Sequence, residues 1–123
     1  MTSQELQDRL KKFAYLIVEL CKLLPFTKAA KIIDGQLLRS AFSSAANYRA
    51  ACKAQSIRAF CAKLSIAFEE IDESTFWLEC INDLKLIESP KLPAALKEAD
   101  ELTRILASSR KSTQLKLKSK PQS

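Results

Sequence analysis

The positions Phe60, Leu64, Ala67, Ile71, Ser74, Leu78 and Ile81 recur at spacings of 4, 3, 4, 3, 4 and 3. That rhythm is one face of an α-helix held for about six turns, and a strand, which alternates every second residue, cannot keep it. Ser56 is suited to cap this helix, which is expected to run to about Lys85. Phe68 and Trp77 fall off the stripe, so a second face should be covered too, with Trp77 buried by bundle packing or by a subunit contact. Composition narrows the remaining chain: one Gly and four Pro in 123 residues leave few places for the φ > 0 turns that hairpins need.

Three more segments carry the same period. Leu6, Leu10, Phe13, Ile17, Leu20 and Leu24 define a helix capped by Ser3 and stopped by Pro25 at about Leu23 or Leu24. Thr27 caps the next helix, Lys28 to Lys53, whose seam reads Leu38, Ala41, Ala45, Tyr48 and Cys52. Ser40, Ser43, Ser44 and Ala46 flank that seam, and such small side chains let helices approach closely. Gly35 inside this pattern marks either a kink or a close contact. Beyond Glu88-Ser89-Pro90 and Pro93, a last helix is expected from Ala94 to Ser108, with Leu96, Ala99, Leu102 and Leu106 inward and Leu92 packing before it. The fold class is therefore all-α, one domain over residues 1–108, an up-down-up-down four-helix bundle with left-handed packing. Residues 109–123 form a polar, basic tail expected to be disordered in the free protein.

Charge is unevenly placed. The formal net charge is +6, and the stretch Ser108–Ser123 supplies +5 of it. From Gly35 to Phe68 there is no acid at all, while Arg39, Arg49, Lys53, Arg58 and Lys63 fall there. Glu69, Glu70, Asp72 and Glu73 follow at once. The basic stretch offers phosphates a surface, through Arg49, Lys53, Arg58, Lys63 and the tail residues Arg110, Lys111, Lys116, Lys118 and Lys120. No zinc-finger, aromatic RNP or basic-zipper pattern accompanies it, so recognition should be directed at backbone or shape. The acidic residues are expected to meet Arg39 or Arg49, within a subunit or across an interface. Alternating basic and acidic segments also suit head-to-tail self-association.

Catalysis finds little to work with. The chain has no His, so Ser–His and Cys–His pairs are excluded. Cys21, Cys52, Cys61 and Cys80 make no Cys-x-x-Cys pair and sit on or beside apolar stripes, as reduced core residues do. The expectation is no enzyme, no metal and no cofactor. The start MTSQELQDRLKK is too charged for a signal peptide, and no apolar run approaches the length of a membrane span, so a cytoplasmic protein away from membranes is expected.

Arg39-Ser40-Ala41-Phe42-Ser43-Ser44-Ala45-Ala46-Asn47, followed by Leu64-Ser65-Ile66-Ala67 and Glu73, resembles the paired motifs of the four-helix-bundle family first described from open reading frames in intervening sequences of bacterial 23S rRNA genes. The likeness covers roughly residues 6 to 107. It implies a bundle that assembles as a ring-shaped homopentamer, with no known enzymatic activity. A related branch is the accessory protein of diversity-generating retroelements, a basic pentamer that works with a reverse transcriptase and binds RNA. Arg39, Ser40, Ser43, Asn47 and Glu73 match the motif and are assigned first to bundle and ring packing, together with Glu69 and Trp77. The resulting expectation is a homo-oligomeric helical protein that binds RNA or DNA through charge, with itself and a reverse transcriptase as protein partners. The alternative is a structural or protein-interaction module that binds no nucleic acid.

Overall fold

The computed structural model of the protein describes residues 1–119. These residues form four helices: α1 (Ser3–Cys21), α2 (Lys28–Cys52), α3 (Ile57–Asp83) and α4 (Lys91–Ser119). Among the described residues no strand occurs. Each helix packs against its neighbours in sequence, α1 closes onto α4, and the backbones of the diagonal pairs stay farther apart across the shared core. The α2–α3 seam is the most extensive. Antiparallel order follows from the pairs that meet: Tyr15 with Phe42, Arg39 with Glu70 and Glu73, and Ser65 with Arg110.

Helix starts are set by hydroxyl caps. Thr27 Oγ1 accepts the Ala30 amide at 3.2 Å and Ser56 Oγ accepts the Ala59 amide at 3.0 Å, both as the sequence indicated. For α1 the cap is Thr2 and not Ser3: Thr2 has extended backbone, and its Oγ1 accepts the Glu5 amide at 3.1 Å. α1 ends at Cys21, and a turn at Lys22–Leu24 precedes Pro25. α4 begins a turn earlier than expected, because Pro93 lies in the first turn, where its missing N–H is not needed.

The larger correction is at the other end of α4. The helix does not stop at Ser108 but continues for eleven residues to Ser119. Thr113 is buried and donates to the Ser109 carbonyl at 2.8 Å. The Arg110 guanidinium lies 5.2 Å from the Phe68 ring centroid, and its Nε donates to Ser65 Oγ at 3.1 Å. The extension thus has a docking face on α3, supplied by a cation over a ring and a buried hydroxyl, not by an apolar stripe. The remainder of the expected tail, residues 120–123 including Lys120, lies outside the described residues.

The core is built from Leu10, Phe13 and Ile17 of α1, Leu37 and Ala41 of α2, Leu64, Ile71 and Leu78 of α3, and Leu102 and Leu106 of α4. On α2 the expected Ala41, Ala45 and Tyr48 are buried, and the seam departs at its ends, where Leu37 and Ala51 are buried while Leu38 and Cys52 are half-buried. On α3 Cys61 is buried and Phe60 half-buried, and on α4 Ala95 takes the inward place expected of Leu96. Ser40 and Ser44, expected to flank the seam, are fully buried in it. Their hydroxyls are satisfied there: Ser44 donates to the Ala41 carbonyl at 2.8 Å, and Ser40 lies 2.8 Å from Ser74 Oγ. Gly35 marks no close approach: α2 runs through it unbroken, it is exposed, and a Cβ there would meet nothing within 4 Å.

Candidate nucleic-acid interface

The α2–α3 seam gathers most of the motif residues. Arg39 Nη1 donates to Glu70 at 2.7 Å, and Arg39 Nη2 donates to Glu73. Trp77 Nε1 donates to the same Glu73 carboxylate at 3.0 Å, and its ring meets Phe76 edge-on at 4.9 Å. Burial pushes the Glu73 carboxyl up, but the hydrogen bonds from Trp77 and Arg39 outweigh it and hold the group below the ordinary glutamate range. The Arg39 guanidinium is raised by its bonds to Glu73 and Glu70. Glu70 and Glu73 thus both serve as acceptors for Arg39. Ser43 and Asn47 pair within α2, the Asn47 amide donating to Ser43 Oγ at 3.0 Å. Glu69 is not part of this network and faces solvent, and Arg49 makes no ion pair among the described residues.

The basic residues fall at one end of the bundle. Lys53 leads into the turn between α2 and α3, and Arg58 follows it. Arg49 and Lys53 share a surface cavity with Gln4, Gln7, Asp8 and Lys11 of α1, so three cations meet one carboxylate there. On the opposite flank of the turn, Lys116 of the α4 extension lines a cavity with Gln55, Ser56 and Phe60. Arg49, Lys53, Arg58, Lys63, Lys111, Lys116 and Lys118 are all exposed. Arg110 is the exception among the described residues expected to contact phosphates: its side chain is spent on Phe68 and Ser65 and clamps α4 to α3. Two acid-free segments, 35–68 and 102–119, thus converge on the α2–α3 turn.

Lys11 was missed in sequence, as was a pair of exposed aromatics. Tyr15 and Phe42 face each other across the α1/α2 groove with ring centroids 6.3 Å apart. The signal was present: both residues lie off the apolar stripe of their helix. A second ion cluster, Arg9 with Glu98 at 2.7 Å and with Glu101, ties α1 to α4 away from this face.

A comparison with families of known sequence matches residues 3–108 to the 23S rRNA-intervening sequence protein family. The chain belongs to that family. The family match stops where the α4 extension begins, so residues 109–119 and their lysines lie beyond the matched span. Among solved structures, the chain is similar to a protein of unknown function from the S23 ribosomal protein family of Bacteroides thetaiotaomicron, at 32% identity and a TM-score of 0.78, covering 90% of this chain and 99% of that one. No curated protein matches the chain. Among the described residues, no helix is long and apolar enough to cross a membrane.

Proposed function

We propose that this protein is a non-enzymatic helical bundle that binds the phosphate backbone of RNA or DNA at the end carrying the α2–α3 turn. The observation behind it is the convergence there of two acid-free segments, with Arg49, Lys53, Arg58 and Lys116 exposed and with Asp8 of α1 as the one carboxylate lining the two cavities. A cationic surface of this kind needs no base-reading motif, and its affinity follows the number of phosphates neutralised. The same family resemblance supports assembly into a left-handed-bundle ring of five copies, with the exposed Phe76 beside the acidic residues of α3 as surface for a subunit contact. It also supports a reverse transcriptase as protein partner and a cytoplasmic setting.

Reversal of Arg49, Lys53 and Arg58 to Glu, read by light scattering and by RNA binding at low salt, tests the reading. Loss of binding with the mass unchanged is the expected result. Loss of the oligomer with the same substitutions would assign these cations to a subunit contact and favour an interaction module that binds no nucleic acid.

A further inference from the structure

Four exposed aromatic residues lie outside the core: Tyr15, Phe26, Phe42 and Phe76. Phe26, in the α1–α2 turn, lines a cavity with Lys28, Lys31 and Asp34 but has no aromatic partner. Phe76 neighbours Trp77 and lies on the acidic C-terminal half of α3, near Asp72, Glu73 and Glu79, where phosphates are repelled. Only Tyr15 and Phe42 form a pair beside cations. They are 53% and 43% exposed, so their rings remain open to solvent instead of closing the core. With Ala14, Ala45 and Ala46 they line an apolar cavity of about 240 Å³, rimmed by Lys11 and Arg49. This cavity shares Gln7, Lys11 and Arg49 with the neighbouring one that leads to Lys53, so an apolar pocket opens onto a surface where three cations face one carboxylate, Asp8.

We propose that the α1/α2 groove takes an unpaired nucleobase against Tyr15 and Phe42, with its phosphate held by Lys11 and Arg49, so that the protein selects single-stranded over duplex nucleic acid. The inference rests on the phosphate-binding reading above and adds to it the kind of nucleic acid bound. In a duplex each base face is already stacked, and only the backbone can reach Arg49 and Lys53. An unpaired base has a free face, and aromatic side chains accept any base on such a face. The small floor of Ala14, Ala45 and Ala46 lets a flat ring approach the helices. The Gln7 side chain supplies an amide donor and acceptor at the mouth for a base edge.

Anisotropy titrations of the full chain test this, with a short unstructured oligoribonucleotide and a blunt RNA duplex of the same length at one salt concentration. The unaltered protein is expected to bind the single strand more tightly. Combined Tyr15→Ala and Phe42→Ala should weaken single-strand binding at least about ten-fold while leaving duplex binding nearly unchanged. Phe42→Trp retains a stacking surface, so it should keep single-strand affinity, and the added indole emission should fall with the single strand and not with the duplex. Equal affinity of the unaltered protein for both probes, or equal losses on both from the aromatic substitutions, would overturn the proposal. So would a change of mass in light scattering with unchanged RNA affinity, which would place a second copy of the chain in the groove. The Arg49, Lys53 and Arg58 reversals separate the two levels. If they abolish binding of both probes while the aromatic substitutions do nothing, the base pocket is wrong and the phosphate surface stands; if they change neither probe, the phosphate surface fails.

Discussion

Salt dependence offers the most quantitative test of the basic end. Six exposed cations bear on it: Lys11, Arg49, Lys53 and Lys116, which line the cavities beside the α2–α3 turn, Arg58 at the start of α3, and Lys118, two residues beyond Lys116 on α4. Each phosphate neutralised on a single strand adds about −0.7 to the slope of log affinity against log salt. Six contacts per protomer give a slope of about −4, and raising KCl from about 50 to 200 mM should then cost about 300-fold in affinity. Neutralising Lys53 and Arg58 together to Gln should flatten the slope by about 1.4, beyond any loss of affinity at fixed salt. The assay is anisotropy of a labelled oligoribonucleotide across that salt range. A slope flatter than about −1, or one untouched by the double neutralisation, would refute the assignment of these side chains to phosphates.

Three further outcomes concern stability. Gly35→Ala should stabilise the protein by about 0.5–1 kcal/mol, raising the melting temperature by a few degrees, because Gly35 is helical, exposed and free of neighbours. A loss of stability would mean that another molecule approaches that surface. Glu73→Gln should cost about 0.5–1 kcal/mol at neutral pH in urea unfolding, discounted for partial exposure. The sign with pH follows from the depressed carboxyl: the difference between the two proteins is full above the ordinary glutamate range and shrinks as the pH falls below it, so a gap that widened in acid would contradict the Arg39–Glu73–Trp77 network. Truncation after Ser108 should leave the bundle folded but lower its stability by about 1–2 kcal/mol, since Arg110 then no longer joins Phe68 and Ser65. An unchanged melt would mean that the extension does not dock.

Much of the fold could be read from the chain because the apolar period of α1 and α3 is nearly uninterrupted, and because Thr27 and Ser56 cap helices in the expected way. The α2 seam was harder. Its small residues give a weak apolar contrast, and burial of Ser40 and Ser44 depends on hydroxyls that bond back to the helix or across to Ser74, which hydropathy scores as outward. The α4 extension escaped for a related reason: Thr113 and the Arg110 stem do the packing, and neither counts as apolar. Arg39 as partner of the acidic cluster was legible from charge alone, whereas the choice of Glu70 over Glu69 needed the helix phase. Tyr15 and Phe42 belong to different helices, so only the fold brings them together.

Because α4 passes Ser108 without a break, its final lysines are indexed to the bundle by helical phase and not carried on a tether. One residue inserted at Ser108 would swing everything beyond it by about 100° and lift Arg110 off Phe68, whereas seven inserted residues would return the azimuth and move the charges outward by about 10 Å. The reach of these charges from the bundle is therefore quantised in helical turns: lengthening this segment resets where the charge points before it extends how far the charge goes.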